Sequence, residues 1–137
     1  MSALSTPLLR TSELSLTEHS TSVRIARRHI RNQLGLWGYC GDKVDDLVLI
    51  GSELVTNAVV HACQGDGEVR LYLQEFSGDC RLEVWDPRFD LPLQKPRLRR
   101  FNEGGRGIQL VRELSLDFGV VVRRGSGKRV WARVLLT

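Results

Sequence analysis

The sequence has few cysteines, few aromatic residues and no long apolar run. Its three cysteines, Cys40, Cys63 and Cys80, are odd in number and lack the close spacing of zinc-ribbon pairs, so neither a disulfide framework nor that zinc site is expected. No stretch approaches the roughly 18 apolar residues of a membrane helix, and the start of the chain lacks the basic-then-apolar order of a secretory signal. These absences predict a soluble, cytoplasmic protein without a membrane partner.

The remaining composition is that of an ordinary globular domain, with 137 residues, 42% hydrophobic and 26% charged. Residues 1–12 are rich in Ser, Thr and Pro and are predicted to be loose, leaving 13–137 as the domain. The 20 Lys and Arg against 16 Asp and Glu give a net charge of +4, which suits an acidic partner. Because only 7% of residues are aromatic, nucleic-acid binding on a basic face with stacking aromatics is not expected.

The spacing of apolar residues predicts a strand, two helices, a hairpin, a loop, a third helix and a second hairpin. The first strand is predicted at 13–18, the two helices at 21–35 and 42–62, and the first hairpin at 68–76 with 80–86. The loop is predicted at 87–100, the third helix begins at 104–107, and the second hairpin pairs 118–124 with 129–136. Consecutive hairpins pair as antiparallel neighbours. The predicted fold class is therefore α+β, a two-layer sandwich with helices on one face of a mixed, mostly antiparallel sheet.

A polar stripe runs along the second predicted helix. Glu53, Asn57 and His61 are four residues apart, so they share one face, at the border of the apolar face. A carboxylate can accept a proton, and an amide oxygen can ligate a hard cation such as Mg²⁺. Spacing alone favours a plainer interpretation, the solvated edge of an amphipathic helix.

Two further motifs lie at the ends of predicted elements. Asp86 ends a strand before a proline, where a carboxylate either accepts hydrogen bonds from a ligand amino group or starts a turn. Gly104, Gly105, Arg106 and Gly107 stand where a loop meets a helix. Glycines there let the main chain approach a phosphate, and helix-start N–H groups attract anions. A flexible hinge is the alternative interpretation of the glycine run.

Together and in this order, the three motifs resemble the N, G1 and G2 boxes of the Bergerat-fold ATP-binding superfamily. The segment Glu-Leu-Val-Thr-Asn-Ala-Val-Val-His at 53–61 is most similar to the corresponding motif of the anti-sigma-factor serine kinases. The resemblance spans about 13–136. It implies a histidine-kinase-like ATPase fold, ATP and Mg²⁺ as cofactors, and, by analogy, a homodimer.

The resemblance also implies a role for each matching residue. Asn57 would coordinate the Mg²⁺ that bridges the ATP phosphates, and Glu53 would be the general base toward a substrate hydroxyl. Asp86 would accept from the adenine amino group. The glycine run would bring main-chain amides to the phosphates, with added charge from Arg106. His61 matches the pattern, but packing at the helix end explains it equally well.

The chain departs from the family pattern at two places. The G1 box usually reads Asp-x-Gly-x-Gly, whereas Arg88 and Asp90 stand at its glycine positions. The threonine that commonly follows the last glycine-rich turn and supports the adenine site is matched to Arg129. Both departures concern the fit of the nucleotide and leave Glu53 and Asn57 in place.

Two functions follow from this pattern. The first is a Mg²⁺-ATP-dependent serine/threonine kinase that phosphorylates an antagonist protein and, by family analogy, holds a sigma factor inactive. The second is a non-catalytic module that sequesters a protein partner, with nucleotide binding weak or lost. In either case the basic side of the first helix is a candidate docking face for an acidic partner, or simply a solvated charged face: Arg24, Arg27, Arg28 and Arg31.

Overall fold

The computed structural model describes residues 7–17, 21–62, 68–86, 107–123 and 127–136. The elements follow the predicted order, and the predicted loop 87–100 lies outside the described residues. β1 begins before the predicted Glu13, because main-chain pairing to β2 continues as far as Leu8 opposite Phe76. The elements are β1 Leu8–Leu16, α1 Ser22–Leu36, α2 Asp42–Ala62, β2 Val69–Phe76, β3 Asp79–Asp86, α3 Gly107–Leu114, β4 Asp117–Arg123 and β5 Gly127–Leu135.

The five strands that the structure describes form one sheet in the order β1-β2-β3-β5-β4, and each neighbouring pair is antiparallel. The hairpin between β2 and β3 closes through Ser77 and Gly78, where a φ of 88° favours glycine. The three helices among the described residues contact one another or the sheet on a single side. The α+β two-layer sandwich predicted from the sequence is confirmed.

The core lies between the helices and alternate residues of the strands. Leu71, Leu73, Leu82, Val84 and Ala132 are among the buried side chains that face the helices. They pack with apolar residues of the helices, and the helical part of this cluster includes Ala26, Ile30, Leu34, Leu47, Ile50, Leu54, Val55 and Val111.

Gly51 fixes the position of α2 over the sheet. A Cβ atom at this residue would lie 2.3 Å from Cδ1 of Ile30 in α1 and 3.2 Å from Cδ1 of Leu82 in β3. The missing side chain therefore lets α2 pack closely against its neighbouring helix and against the middle of β3 at once.

The direction of α2 follows from the contacts at its two ends. Tyr39, shortly before the helix, donates a hydrogen bond to Glu75, which pairs with Cys80 at the start of β3. After the helix the chain enters β2, whose first residues pair with the last residues of β3. α2 thus runs from the start of β3 toward its end. We call these two ends of the sandwich the Glu75 end and the Asp86 end.

The outer face of the sheet carries arginines stacked on tryptophans. Cζ of Arg70 and of Arg129 lie 5.5 and 5.8 Å from the ring centroid of Trp85, and Cζ of Arg81 lies 4.4 Å from that of Trp131. Three outer-face ion pairs accompany this stacking, at 3.4, 3.3 and 3.0 Å: Arg70–Glu13, Arg81–Glu83 and Arg133–Asp79.

Cys40 and Cys80 are free thiols, and Cys63 lies outside the described residues. Burial raises the pKa of the Cys80 thiol to about 12, so this side chain behaves as a small apolar core residue. In the described ranges, no helix combines the length and the apolar character needed to span a bilayer.

Candidate functional site

Asn57 is a buried polar side chain in the C-terminal half of α2, with 6% of its surface exposed. Its Oδ1 atom accepts no hydrogen bond within the described residues. Buried polar atoms are almost always paired, and leaving one unpaired costs about 1–3 kcal/mol. Asn57 therefore presents an acceptor suited to a donor or cation that the chain itself does not supply.

The other two residues of the stripe flank Asn57 by one helical turn each. Glu53 is half-buried, so its carboxylate lies at the border between the interior and water. His61 lies in the last turn of α2, and its side chain is outside the described part of the structure. Thr56, next to Asn57 but exposed, donates its hydroxyl to the carbonyl of Ser52 at 2.7 Å.

Asp86 lies at the same end of the sandwich as Asn57. It is the last residue of β3, only 4% exposed, and it continues the inward-facing alternation of Leu82 and Val84. Asn57 is about 9 Å along α2 from Gly51, and Asp86 is about 13 Å along β3 from Leu82. Both distances start from the same point, because Gly51 lies against Leu82. The amide of Asn57 and the carboxylate of Asp86 therefore lie at similar distances along the sandwich from that contact.

Gly107 begins α3 at this same end. α3 packs against α2 and β4, and only Ser115 and Leu116 connect it to β4. Since β4 runs toward the Asp86 end, a connection this short reverses the chain and directs the first turn of α3 to that end. Its N–H groups form a local positive pole there. Gly104, Gly105 and Arg106 lie outside the described residues.

The strand register shows which residue of β5 lies beside Asp86. Lys128, and not Arg129, lies opposite Asp86, whereas Arg129 lies opposite Trp85 on the outer face. A shift of one residue along a strand moves a side chain to the other side of the sheet. The signal was present in the sequence, because counting back from the buried Val130 in steps of two gives Lys128.

No group of three or more His, Cys, Asp and Glu side chains within the described ranges is placed to hold a metal ion. If the oxygen of Asn57 held a metal ion, it would do so as a neutral ligand outside any such group. Mg²⁺ sites of nucleotide-binding proteins commonly use few protein ligands, with phosphate oxygens and waters completing the octahedron. The donor chemistry at this end of the sandwich fits such a shared ion.

A second polar feature lies between α1 and α2. A cleft of about 230 Å³ is lined by Val48 and four arginines, Arg24, Arg27, Arg28 and Arg31. Nη1 of Arg31 lies 2.9 Å from Oδ1 of Asp45. The other three arginines are exposed and form no ion pair with any residue that the structure describes. The cleft therefore brings several positively charged side chains together above the apolar side chain of Val48.

The protein-family model described as a histidine kinase-like ATPase domain matches residues 16–134. The chain belongs to this family. The match begins at the last residue of β1 and ends one residue before the end of β5, so it includes the six described elements between them. No curated protein matches this histidine kinase-like ATPase domain by sequence.

Two solved structures share the fold of this domain. The RsbU and RsbW domains of Rv1364c from Mycobacterium tuberculosis match at a TM-score of 0.71 and 19% identity, over 93% of this chain and 33% of that one. The SiaB–SiaC complex from Pseudomonas aeruginosa matches at a TM-score of 0.62 and 14% identity, over 97% of this chain and 93% of that one. This chain thus spans about a third of the first protein. At these identities both likenesses concern the fold.

Proposed function

We propose that this protein binds ATP with Mg²⁺ at the Asp86 end and acts as a regulatory serine/threonine kinase on an antagonist protein. The observation that carries the proposal is the buried Oδ1 of Asn57, which has no hydrogen-bond partner among the described residues. The chain's membership of an ATPase-domain family supports a nucleotide as the missing ligand. The placement of Asp86 and of the first turn of α3 at the same end supports it further.

Each residue has one task in this proposal. Asn57 would hold the Mg²⁺, which when bound neutralises charge on the phosphates. Asp86 would accept a hydrogen bond from the adenine amino group. The N–H groups at the start of α3, with the glycine run from Gly104, would surround the phosphates. Glu53, at the edge of the cavity, would accept the proton of the substrate hydroxyl.

Calorimetric titration with ATP and Mg²⁺ tests the binding step. Asn57→Ala is expected to weaken Mg²⁺-dependent binding about 100-fold or more, because it removes the only protein oxygen assigned to the metal. Thr56→Ala is the matched control, since its exposed hydroxyl only bonds within the helix. If the natural chain binds no ATP, or Asn57→Ala binds as well as the natural chain, the proposal is wrong.

Phosphoryl transfer is tested with labelled ATP and candidate antagonist proteins. Glu53→Gln is expected to abolish transfer and to leave ATP binding within about two-fold, because the amide keeps the shape of the side chain but cannot take the proton. Transfer that persists in Glu53→Gln at the natural rate would remove Glu53 from the reaction.

Sequestration of a protein partner without catalysis is the second candidate function, and the arginine cleft favours it. Three exposed arginines without ion pairs in the described structure give charge complementarity to an acidic protein surface. One of the two structural neighbours is the SiaB–SiaC complex, which supports a protein partner for this fold. A homodimer remains a prediction from family analogy.

The docking face is tested by titrating a poly-glutamate peptide at several salt concentrations. Arg24→Gln with Arg28→Gln is expected to weaken binding several-fold and to reduce its salt dependence. Arg70→Gln with Arg129→Gln is the matched control, because it removes the same charge from the outer face of the sheet. Equal losses in the two double variants would show only a general effect of net charge. A partner that binds at the cleft while ATP does not bind would favour sequestration over kinase activity.

A further inference from the structure

β4 lies at one edge of the sheet and is apolar for that position. Among the described residues it pairs on one side only, with β5. Three successive side chains in its middle are 42%, 37% and 37% exposed: Val120, Val121 and Val122. The outer side of an edge strand offers main-chain N–H and C=O groups, and an exposed apolar edge readily adds another strand. β4 therefore has the properties of a strand-addition site.

The opposite edge of the sheet is built differently. Polar and charged residues occupy the middle of β1, among them Arg10, Ser12 and Glu13. Glu13 also pairs with Arg70 of β2 at 3.4 Å. Charged side chains of this kind protect an edge strand from pairing with another chain. In β4 the charged residues stand only at the two ends, so β4 is the edge that is open to a partner strand.

The exposed valines of β4 lie on both faces of the sheet. Val120 is opposite the buried Val130 and belongs to the row that faces the helices, whereas Val121 is opposite Arg129 on the outer face. Because Val120 remains exposed, the helical layer does not cover this edge. A helix laid on one face would leave the other uncovered. A second apolar strand beside β4 covers both faces at once.

The charges of β4 indicate which strand fits. Asp117 begins the strand and Arg123 ends it. Two identical antiparallel strands must be centred on a residue, because otherwise groups that point outward on one strand meet groups that point inward on the other. Centring the pair on Val120 places Asp117 of each copy opposite Arg123 of the other. Moving the centre to Gly119 or Val121 loses both of these charge pairings.

We propose that two copies of this chain associate by antiparallel pairing of their β4 strands about a two-fold axis at Val120, with Asp117 of each copy opposite Arg123 of the other. This contact joins two five-stranded sheets into one continuous sheet. The pairs between the charged ends are apolar: Phe118 with Val122, Gly119 with Val121, and Val120 with its own copy. Opposite charges and apolar side chains at facing positions both favour strand pairing. The inference does not depend on nucleotide binding.

The size of the contact sets its expected strength. β4 has seven residues and spans about 24 Å, so the contact buries less than the roughly 800 Å² per partner of a standard interface. The dimer should therefore be reversible, with a dissociation constant in the micromolar range. Its population should depend on protein concentration.

Sedimentation equilibrium of the full chain at several concentrations measures this association. Val120→Lys is expected to weaken the dimer about 10-fold or more, because it sets two ammonium groups opposite each other at the axis. Leu9→Lys is the matched control. It makes the same kind of change at a residue of β1, the other edge strand, that is 53% exposed, and it should leave the dissociation constant within about two-fold.

Charge reversal tests the register. Asp117→Arg alone and Arg123→Asp alone should each weaken the dimer about 5- to 30-fold, because each sets like charges opposite each other at both ends of the pair. The double variant should dimerise within about two-fold of the natural chain. The two residues are about 20 Å apart along one strand, so this restoration cannot arise within a single copy.

Three results would overturn the inference. One is a natural chain that stays monomeric up to high micromolar concentration. Another is a dimer that Val120→Lys leaves intact, or that the double charge reversal fails to restore, since either would place the contact elsewhere on the surface. The third is association that grows beyond a dimer, because a two-fold contact between edge strands closes after two copies.

Discussion

The two ends of the sandwich treat buried polar groups in opposite ways. At the Glu75 end, the carboxylate of Glu75 is 1% exposed and accepts bonds from Nε and Nη2 of Arg10, at 2.6 and 3.0 Å, and from the hydroxyl of Tyr39. At the Asp86 end, the Oδ1 of Asn57 is buried and accepts none from the described residues. The first end satisfies its buried carboxylate, whereas the second leaves a buried acceptor without a partner among the described residues.

The hydrogen bonds at the Glu75 end connect separate segments of the fold. Arg10 also donates from Nη2 to the carbonyl of Trp37 at 3.2 Å and lies over the Trp37 ring. It therefore ties the edge strand β1 to the loop between α1 and α2 and to β2. The hydrogen bond and charge of Arg10 hold the pKa of the Glu75 carboxyl below its usual range.

The number of bonded partners separates a structural polar group from a candidate functional one. Burial alone does not do so, since Glu75 and Asn57 are both buried. The number of partners does: a fully bonded group stabilises the fold, whereas an unpaired one lowers stability and is expected to gain its partner from a ligand. Asp79 Oδ1 is a partial case, because that carboxylate is bonded through its other oxygen to Arg133 at 3.0 Å.

The largest expected effect is at the Glu75 end. Glu75→Gln should lower the free energy of unfolding by about 1–3 kcal/mol, because it weakens every charge-assisted bond of a buried group. Glu13→Gln is the control, since the exposed Glu13 pairs with Arg70 at 3.4 Å and should contribute little. Urea unfolding measures both, and equal losses would contradict the distinction between the two carboxylates.

The contribution of Glu75 to stability should also depend on pH. The folded-state pKa of Glu75 is lowered from about 4.5, so its contribution is complete above that value and is lost as the pH falls toward the lowered pKa. The stability difference between the natural chain and Glu75→Gln should therefore be constant near neutral pH and shrink below about pH 4.5. If the stability difference grew on acidification, the folded state would raise the pKa of Glu75 instead of lowering it.

The third prediction concerns the Asp86 end without ligand. Asn57→Leu should raise the melting temperature, by an amount equivalent to about 1 kcal/mol, because it replaces an unpaired buried acceptor with an apolar group of similar volume. The same variant should lose Mg²⁺-dependent ATP binding. A clear loss of stability in the absence of ligand would show that Asn57 has a structural partner after all.

The smallest effect is expected for Tyr39→Phe. It removes one of the bonds to Glu75 and leaves both bonds from Arg10, so the loss should be about 0.5–1 kcal/mol in urea unfolding. The hydrogen bond to Glu75 raises the pKa of Tyr39. An alkaline spectroscopic titration should accordingly show one tyrosine that ionises above the usual range.

Much of this architecture was predictable from local patterns. The apolar spacing of α2 predicted its bounds at Asp42 and Ala62, and the turn at Ser77 and Gly78 predicted the central hairpin. β1 was predicted to start too late, because its first residues are held by pairing to β2 and not by local alternation. The Arg10–Glu75 pair, joining residues far apart in the chain, had no local signal.

The fold class, the order of the elements and the polar stripe of Glu53 and Asn57 follow from local patterns, because periodicity and turn chemistry act over a few neighbouring residues. Packing between distant segments is needed to know that Oδ1 of Asn57 has no partner among the described residues, that Glu75 is bonded to Arg10 and Tyr39, and that Lys128 lies opposite Asp86. Those facts depend on strand register and on how α2 lies over β3, which are set by packing between segments distant in the chain.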